Sequence, residues 1–325
     1  MSKILLILLS FVFSTIGLGQ NLSPRPLIKS SSGLPNMRDF TMSKNGKEAY
    51  ATVVSPLEDI AVIVRLKKTR TKWKLIEILS FSGTHNDLEP FLSPDNLRLY
   101  FASNRPSVGD SVENADFDIW FVERKTVEST WGIPVNIGPD INTTFNEFYP
   151  SVSTNNNLYF TSDRPSSKGK DDIFFSEFKQ GHYLPPVSLS DSVNSIGYEF
   201  NSYVSPDESY LLFTAYNRSD GLGSGDLYVS HKTKDGSWTK AQHLGTTVNS
   251  AAMDYCPFVD QTTGTLYFTS KRSSYELTTH FTTVEDLLEA LSKSENGMSR
   301  IYSVQLTDIP LPGENIHIKQ APIEN

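Results

Sequence analysis

The chain has 325 residues, 38% of them hydrophobic and 11% aromatic, with 29 Lys and Arg against 37 Asp and Glu. That length and apolar content suffice for a large core, and the even scatter of Gly, Pro, Asn and Ser excludes a disordered or collagen-like chain. The acidic balance argues against a nucleic-acid-binding surface, and a single cysteine, Cys256, excludes an intrachain disulfide.

Residues 1–19 read as a secretory signal peptide: Lys3, an apolar run from Ile4 to about Ile16, then Gly17-Leu18-Gly19. The run is short for a membrane span, so cleavage near Gly19–Gln20 predicts a secreted or periplasmic chain with no membrane span. Without Lys3 the basic residues number 28 against 37 acidic, a formal charge of −9.

From Met37 onward one pattern recurs. Copies of a first strand, "EPFLSPDN", "YPSVSTNN", "NSYVSPDE" and "CPFVDQTT", precede copies of a second, "LRLYFASNRP", "NLYFTSDRP", "SYLLFTAYNRS" and "TLYFTSKRS". A variable connector and a third strand follow ("DIWFV", "DIFFS", "DLYVS", "RIYSV"), then a fourth element that opens on Trp131, Tyr183 or Trp238. The spacings between those aromatic residues, 52 and 55, and the period-2 alternation argue for strands rather than a helical solenoid. We label the four strands A to D. Trp73 marks a further D strand, and "FTMSKNGKEAYATVV" with "DIAVIVRL" supplies a degenerate first copy. The fold expected is an all-β propeller of four-stranded antiparallel blades, five by count with six the alternative. It forms a single domain over 20–325, with blades starting near 37, 87, 147, 199 and 254, an insertion at 273–299 and a C-terminal tail at 305–325. Residues 24–30 have the look of a D strand without its own blade, and lie at the right distance from the first A strand to close the ring on the fifth blade; residues 315–320 compete for that edge.

The recurrent "SPDNLRLYFASNRP" and "SPDESYLLFTAYNRS" resemble the WD40-like PD40 repeat of TolB-type β-propeller proteins over nearly the whole mature chain. "STNNN" and "DQTTG" depart from the S-P-D turn, and propellers of that type usually have six blades. The resemblance implies an extracytoplasmic, envelope-associated protein that binds proteins or glycans, with no shared catalytic set and no cofactor.

Asp87, Glu147, Glu199 and Asp254 share one register, and 17 to 19 positions later Arg105, Arg164, Arg218 and Arg272 close strand B. Antiparallel pairing brings these ends together, so a carboxylate–guanidinium pair within each blade is expected, and alternatively a ring of charges on a ligand-binding face. Asp118, Asp172 and Asp226 are too sparse for a metal cage and read as turn residues; no metal motif and no nucleophile elbow occurs. "GLGSGD" has no helix behind it to cradle a phosphate. The connectors between strands B and C vary most. In the last blade Thr282 and Glu285 read as a capping box, Val284, Leu287, Leu288 and Leu291 have helical spacing, and Gly297 supplies the stop. The reading that follows is a non-enzymatic binding or scaffold module for a protein or glycan, using loops on one face, with Leu287 and Leu291 on that face. The alternative is a glycan-active hydrolase or lyase using Asp39, Glu89, Glu147 or Asp254.

Overall fold

A computed structural model describes residues 23–28, 36–70, 72–107, 116–275 and 280–310. The proposed signal segment and residues 315–320 lie outside them. Five four-stranded antiparallel sheets form the blades. Their A strands are Asn36–Met42, Asp87–Leu92, Glu147–Val152, Tyr198–Val204 and Asp254–Asp260; the B strands are Glu48–Val54, Arg98–Ser103, Leu158–Ser162, Tyr210–Tyr216 and Thr265–Ser270. The C strands are Ala61–Thr69, Asp118–Glu123, Asp172–Ser176, Asp226–His231 and Arg300–Gln305. Alternation on these strands buries one aromatic or aliphatic set against each neighbouring blade, such as Leu99, Phe101 and Trp120 against Tyr50 and Ile63.

Strand D is seven residues in blade 1, Lys72–Ile78, but only two in blades 2 to 4, at Val135–Asn136, Val187–Ser188 and Gln242–His243. The aromatic residues expected to open those strands precede them instead and pack toward the preceding blade: Trp131 donates to the Tyr50 hydroxyl at 3.0 Å, and Trp238 meets Tyr159 edge-on. The outer edge needs little pairing because the core lies between blades, not at the rim.

The fourth strand of blade 5 is Arg25–Pro26, paired antiparallel to Ser303 and Tyr302. The chain's beginning therefore latches onto its last blade. The seam is built like three of the four other junctions: the first residues of strand A donate to the carbonyl just before the neighbouring strand C, as in Glu147 to Phe117 (2.7 Å), Glu199 to Asp171 (2.9 Å), Asp254 to Gly225 (2.8 Å) and, across the seam, Met37 to Ser299 (3.0 Å). Between blades 1 and 2 the Asn86 side chain accepts from Ala61 N instead, at 3.0 Å. The "GLGSGD" connector is packed against the next blade, where a Cβ on Gly223 would run into the Ala252 carbonyl. That close approach accounts for its glycine.

The insertion carries one helix, Val284–Leu291. Its N-cap is Thr283, whose hydroxyl accepts from Asp286 N, one residue beyond the capping box expected at Thr282 and Glu285. It ends at Ser292, whose N–H still bonds back into the last turn, so Gly297, at φ 82°, belongs to a later turn rather than the stop.

Candidate functional site

Strand A holds the site because it alone faces the channel. In every blade its ladder with strand B slips once, between Arg38 and Thr41, Leu88 and Phe91, Phe148 and Ser151, Phe200 and Tyr203, and Tyr255 and Phe258. A left-handed residue sits in each slip: Asp39 (φ 60°), Glu89 (60°), Tyr149 (47°), Asn201 (52°) and Cys256 (53°). Non-glycine residues adopt that conformation at a cost, and five equivalent bulges turn five different side chains inward at one level. Proline follows three of them, Glu89, Tyr149 and Cys256, and removes a ladder donor where the strand breaks register. That proline is the trace the bulge leaves in the sequence.

Three of the five, Asp39, Glu89 and Cys256, bond Arg38 directly, and Tyr149 and Asn201 reach it through Glu89. The Arg38 guanidinium donates to Asp39 at 2.8 Å and to Glu89 at 3.0 Å, and its outer edge lies 3.5 Å from Glu58, which in turn pairs with Lys271 at 2.8 Å. Glu89 also accepts from Tyr149 N (2.7 Å) and Asn201 (3.4 Å), and the Cys256 thiol donates to Asp39 at 2.7 Å. One network thus ties all five blades together at the waist of the channel.

The three carboxylates outnumber the two cations by one, and Asp39 and Glu89 are only 1% and 4% exposed. A net negative charge in such a place is costly, and Glu89 carries the consequence: burial pushes it up to about 7, with Asp39 adding to the rise and Arg38 opposing it. Burial likewise pushes the Cys256 thiol up, reinforced by Asp39. A protonated Glu89 makes the group neutral.

The repeated arginines lie at the start of strand A, one level away. Arg105, Arg164, Arg218 and Arg272 pair with Asp87, Glu147, Glu199 and Asp254 at 2.5, 2.8, 2.9 and 2.8 Å, and all four carboxylate side chains are fully buried. Each guanidinium stands over two rings of its own blade, Phe160 and Phe174 in the case of Arg164. In blade 1 the acidic slot is Met37, opposite Val53, and the pair is missing. Of the four carboxylates named for an acid–base role, Asp39 and Glu89 meet in the channel, whereas Glu147 and Asp254 are held in these ion pairs. Asp172 and Asp226 accept backbone N–H groups of their connectors, from Lys168 and Leu222, and Asp118 holds Asn136.

Sequence reasoning missed Arg38, Asn201 and Tyr149, which have no counterpart of like chemistry in other blades. It also missed Asn142, Asn194 and Asn249, each of which bonds both N–H and C=O of one strand C residue, Ile119, Ile173 and Leu227. The recurrent Ile-Asn or Val-Asn a few residues before the acidic slot was the available signal.

The B–C connectors and D–A loops share one face. Leu57 (86% exposed), Ile60, Phe145, Ile196 (92%) and Leu222 lie in them, and the Tyr198–Tyr216 pair stands at the same end of blade 4. The inserted helix presents Val284, Leu287, Leu288 (60%) and Leu291 to solvent. Among the described residues no group of three or more His, Cys, Asp or Glu could hold a metal ion, and no helix is long and apolar enough to cross a membrane.

No protein-family model matches the chain, and the comparison with curated proteins gives no match. Solved structures do resemble it. The α-L-arabinofuranosidase PaAbf62A from Podospora anserina, in complex with cellotriose, superposes with a TM-score of 0.53 at 12% identity over 87% of this chain and 95% of that one. An α-L-arabinofuranosidase from Lactobacillus brevis gives 0.51 at 15% identity, over 86% and 92%. A TolB from Agrobacterium tumefaciens, described as putative, gives 0.46 at 15%, over 75% and 72%, too distant to carry an argument. At these identities the likeness shows the fold alone: the chain is a five-bladed β-propeller.

Proposed function

We propose that the protein is an exported, non-enzymatic binding module that recognises a protein or glycan of the cell envelope or exterior through its connector face. The observation that carries this reading is the concentration of exposed apolar side chains on that face, including Leu57, Ile196 and Leu288. The signal-like residues 1–19 and the resemblance of the S-P-D repeats to TolB-type propellers point the same way. Photo-crosslinking from Leu288 and Ile196 in the native envelope, with Val127 on the opposite face as control, should give a discrete adduct from the first two only. Adducts of equal yield from all three positions, or none from the connector face, would refute it.

The second reading, glycoside hydrolysis, draws on Asp39 with a Glu89 pushed up to about 7, as a general acid requires. It ranks lower because the Arg38 guanidinium bonds both carboxylates and occupies the space between them, and because Tyr149, Asn201 and Cys256 fill the remaining positions at that level. Release of sugar from arabinan or xylan oligomers that disappears in Glu89→Gln would reverse the ranking.

A further inference from the structure

The opposite end of the channel, where the A–B turns meet, holds a cavity of about 1040 Å³. That is at the upper limit of the range in which proteins hold small ligands. Beyond the bulges each strand A regains its alternation, and the residues two places on, Phe91, Tyr203 and Phe258 among them, form the floor together with Met42 and Val152. The three rings are fixed against one another, Tyr203 lying 5.5 Å from Phe258 and 6.4 Å from Phe91 between centroids. The one hydroxyl among them is spent, donating to the Val259 carbonyl at 3.1 Å and accepting from Gln261 at 2.9 Å. The floor therefore offers carbon.

The mouth differs in chemistry. Its charged groups are Asp95, Asp207 and Asp260 against Lys44 alone, the rest of the rim being Ser, Thr, Asn, Gln and Pro of the turns. The carboxylates also help to form those turns, as when Asp95 accepts from Leu97 N at 3.0 Å and Asp207 from Ser209 N at 3.1 Å. Water in such a funnel meets few partners at its base, and an anion entering it meets three carboxylates.

We propose that this cavity binds a small cationic amphiphile, with its alkyl or aryl end on the Phe91, Tyr203 and Phe258 floor and its ammonium or guanidinium group at Asp95 and Asp207. The site is separate from the connector face, so it stands or falls independently of the proposed partner binding.

Calorimetric titration with octyltrimethylammonium, octyl glucoside and octanoate, each below its micelle concentration, isolates the contribution of the head group at constant chain length. The ammonium compound should bind one to one and about tenfold more tightly than octanoate at low salt, the gap narrowing as salt screens the rim. Thr154→Trp and Thr262→Trp, at exposed rim positions, should each block binding without lowering the melting temperature. The double variant Asp95→Asn, Asp207→Asn keeps the turn acceptors and should reduce the ammonium compound to the affinity of octyl glucoside. Saturable binding by none of the three compounds, octanoate binding as tightly as the ammonium compound, or binding that persists in both folded Trp variants would each overturn the proposal.

Discussion

Glu89 makes the stability of this propeller depend on pH in a direction opposite to that of most buried ion pairs. Its carboxyl is held at about 7 in the folded protein against an ordinary 4.5, so the folded state binds the proton more tightly than the unfolded chain does. The sign follows: this contribution is fully present below pH 4.5 and is lost as pH rises through 7. Each tenfold difference in proton affinity corresponds to about 1.4 kcal/mol, so between pH 5 and 8.5 Glu89 alone should lower stability by about 2 to 3 kcal/mol. Glu58 and Glu208 are held below their usual range and titrate under this window, while Glu147 and Asp171 are raised and add to the slope. The difference between wild type and Glu89→Gln isolates the group. Urea unfolding at pH 5.5, 6.5, 7.5 and 8.5 should show wild type losing stability faster than the variant, whatever constant offset the amide introduces. Parallel curves for the two proteins would refute the argument that one guanidinium cannot neutralise both Asp39 and Glu89.

Arg164→Ala leaves Glu147 buried without its partner and should cost about 3 kcal/mol in urea unfolding, while Arg164→Met with Glu147→Leu should recover part of the loss. Deleting residues 20–32 removes the Arg25–Pro26 strand and uncovers Tyr302 and Ser303, so the truncated protein should melt lower and aggregate in light scattering; an unchanged melt would mean that the latch is dispensable. The Cys256 thiol, buried and donating its S–H to Asp39, should resist a disulfide reagent at pH 8 in the folded protein and react at once in denaturant.

What was legible in the sequence was local. Period-2 alternation, turn signals and the recurrence of an aromatic residue every 52 to 58 positions define strands and hairpins, because each is set within one hairpin or one repeat, and they favour five blades over six. The Glu147–Arg164 pair was legible for the same reason: antiparallel pairing converts a separation of 17 residues into contact. For the latch the sequence left two candidates, 24–30 and 315–320, for one free edge, and the pairing of Arg25–Pro26 with Ser303 and Tyr302 decided between them.

The channel network obeys no such rule. Arg38 meets Glu89 across 51 residues and Asp39 meets Cys256 across 217. Those encounters depend on closure of the ring and on five bulges that rotate one residue per blade out of its ladder, so equivalent positions carry unlike side chains toward one axis. Alternation assigns Asp39 and Cys256 to strands but cannot say that they touch. The sequence by itself determined the blades, their order and the pairs inside them, because those interactions are written in short-range periodicity. Which carboxylates share a cation, which thiol they bury, and that an aromatic-floored cavity lies beneath them were decided only by tertiary structure, through the convergence of five strands from separate repeats.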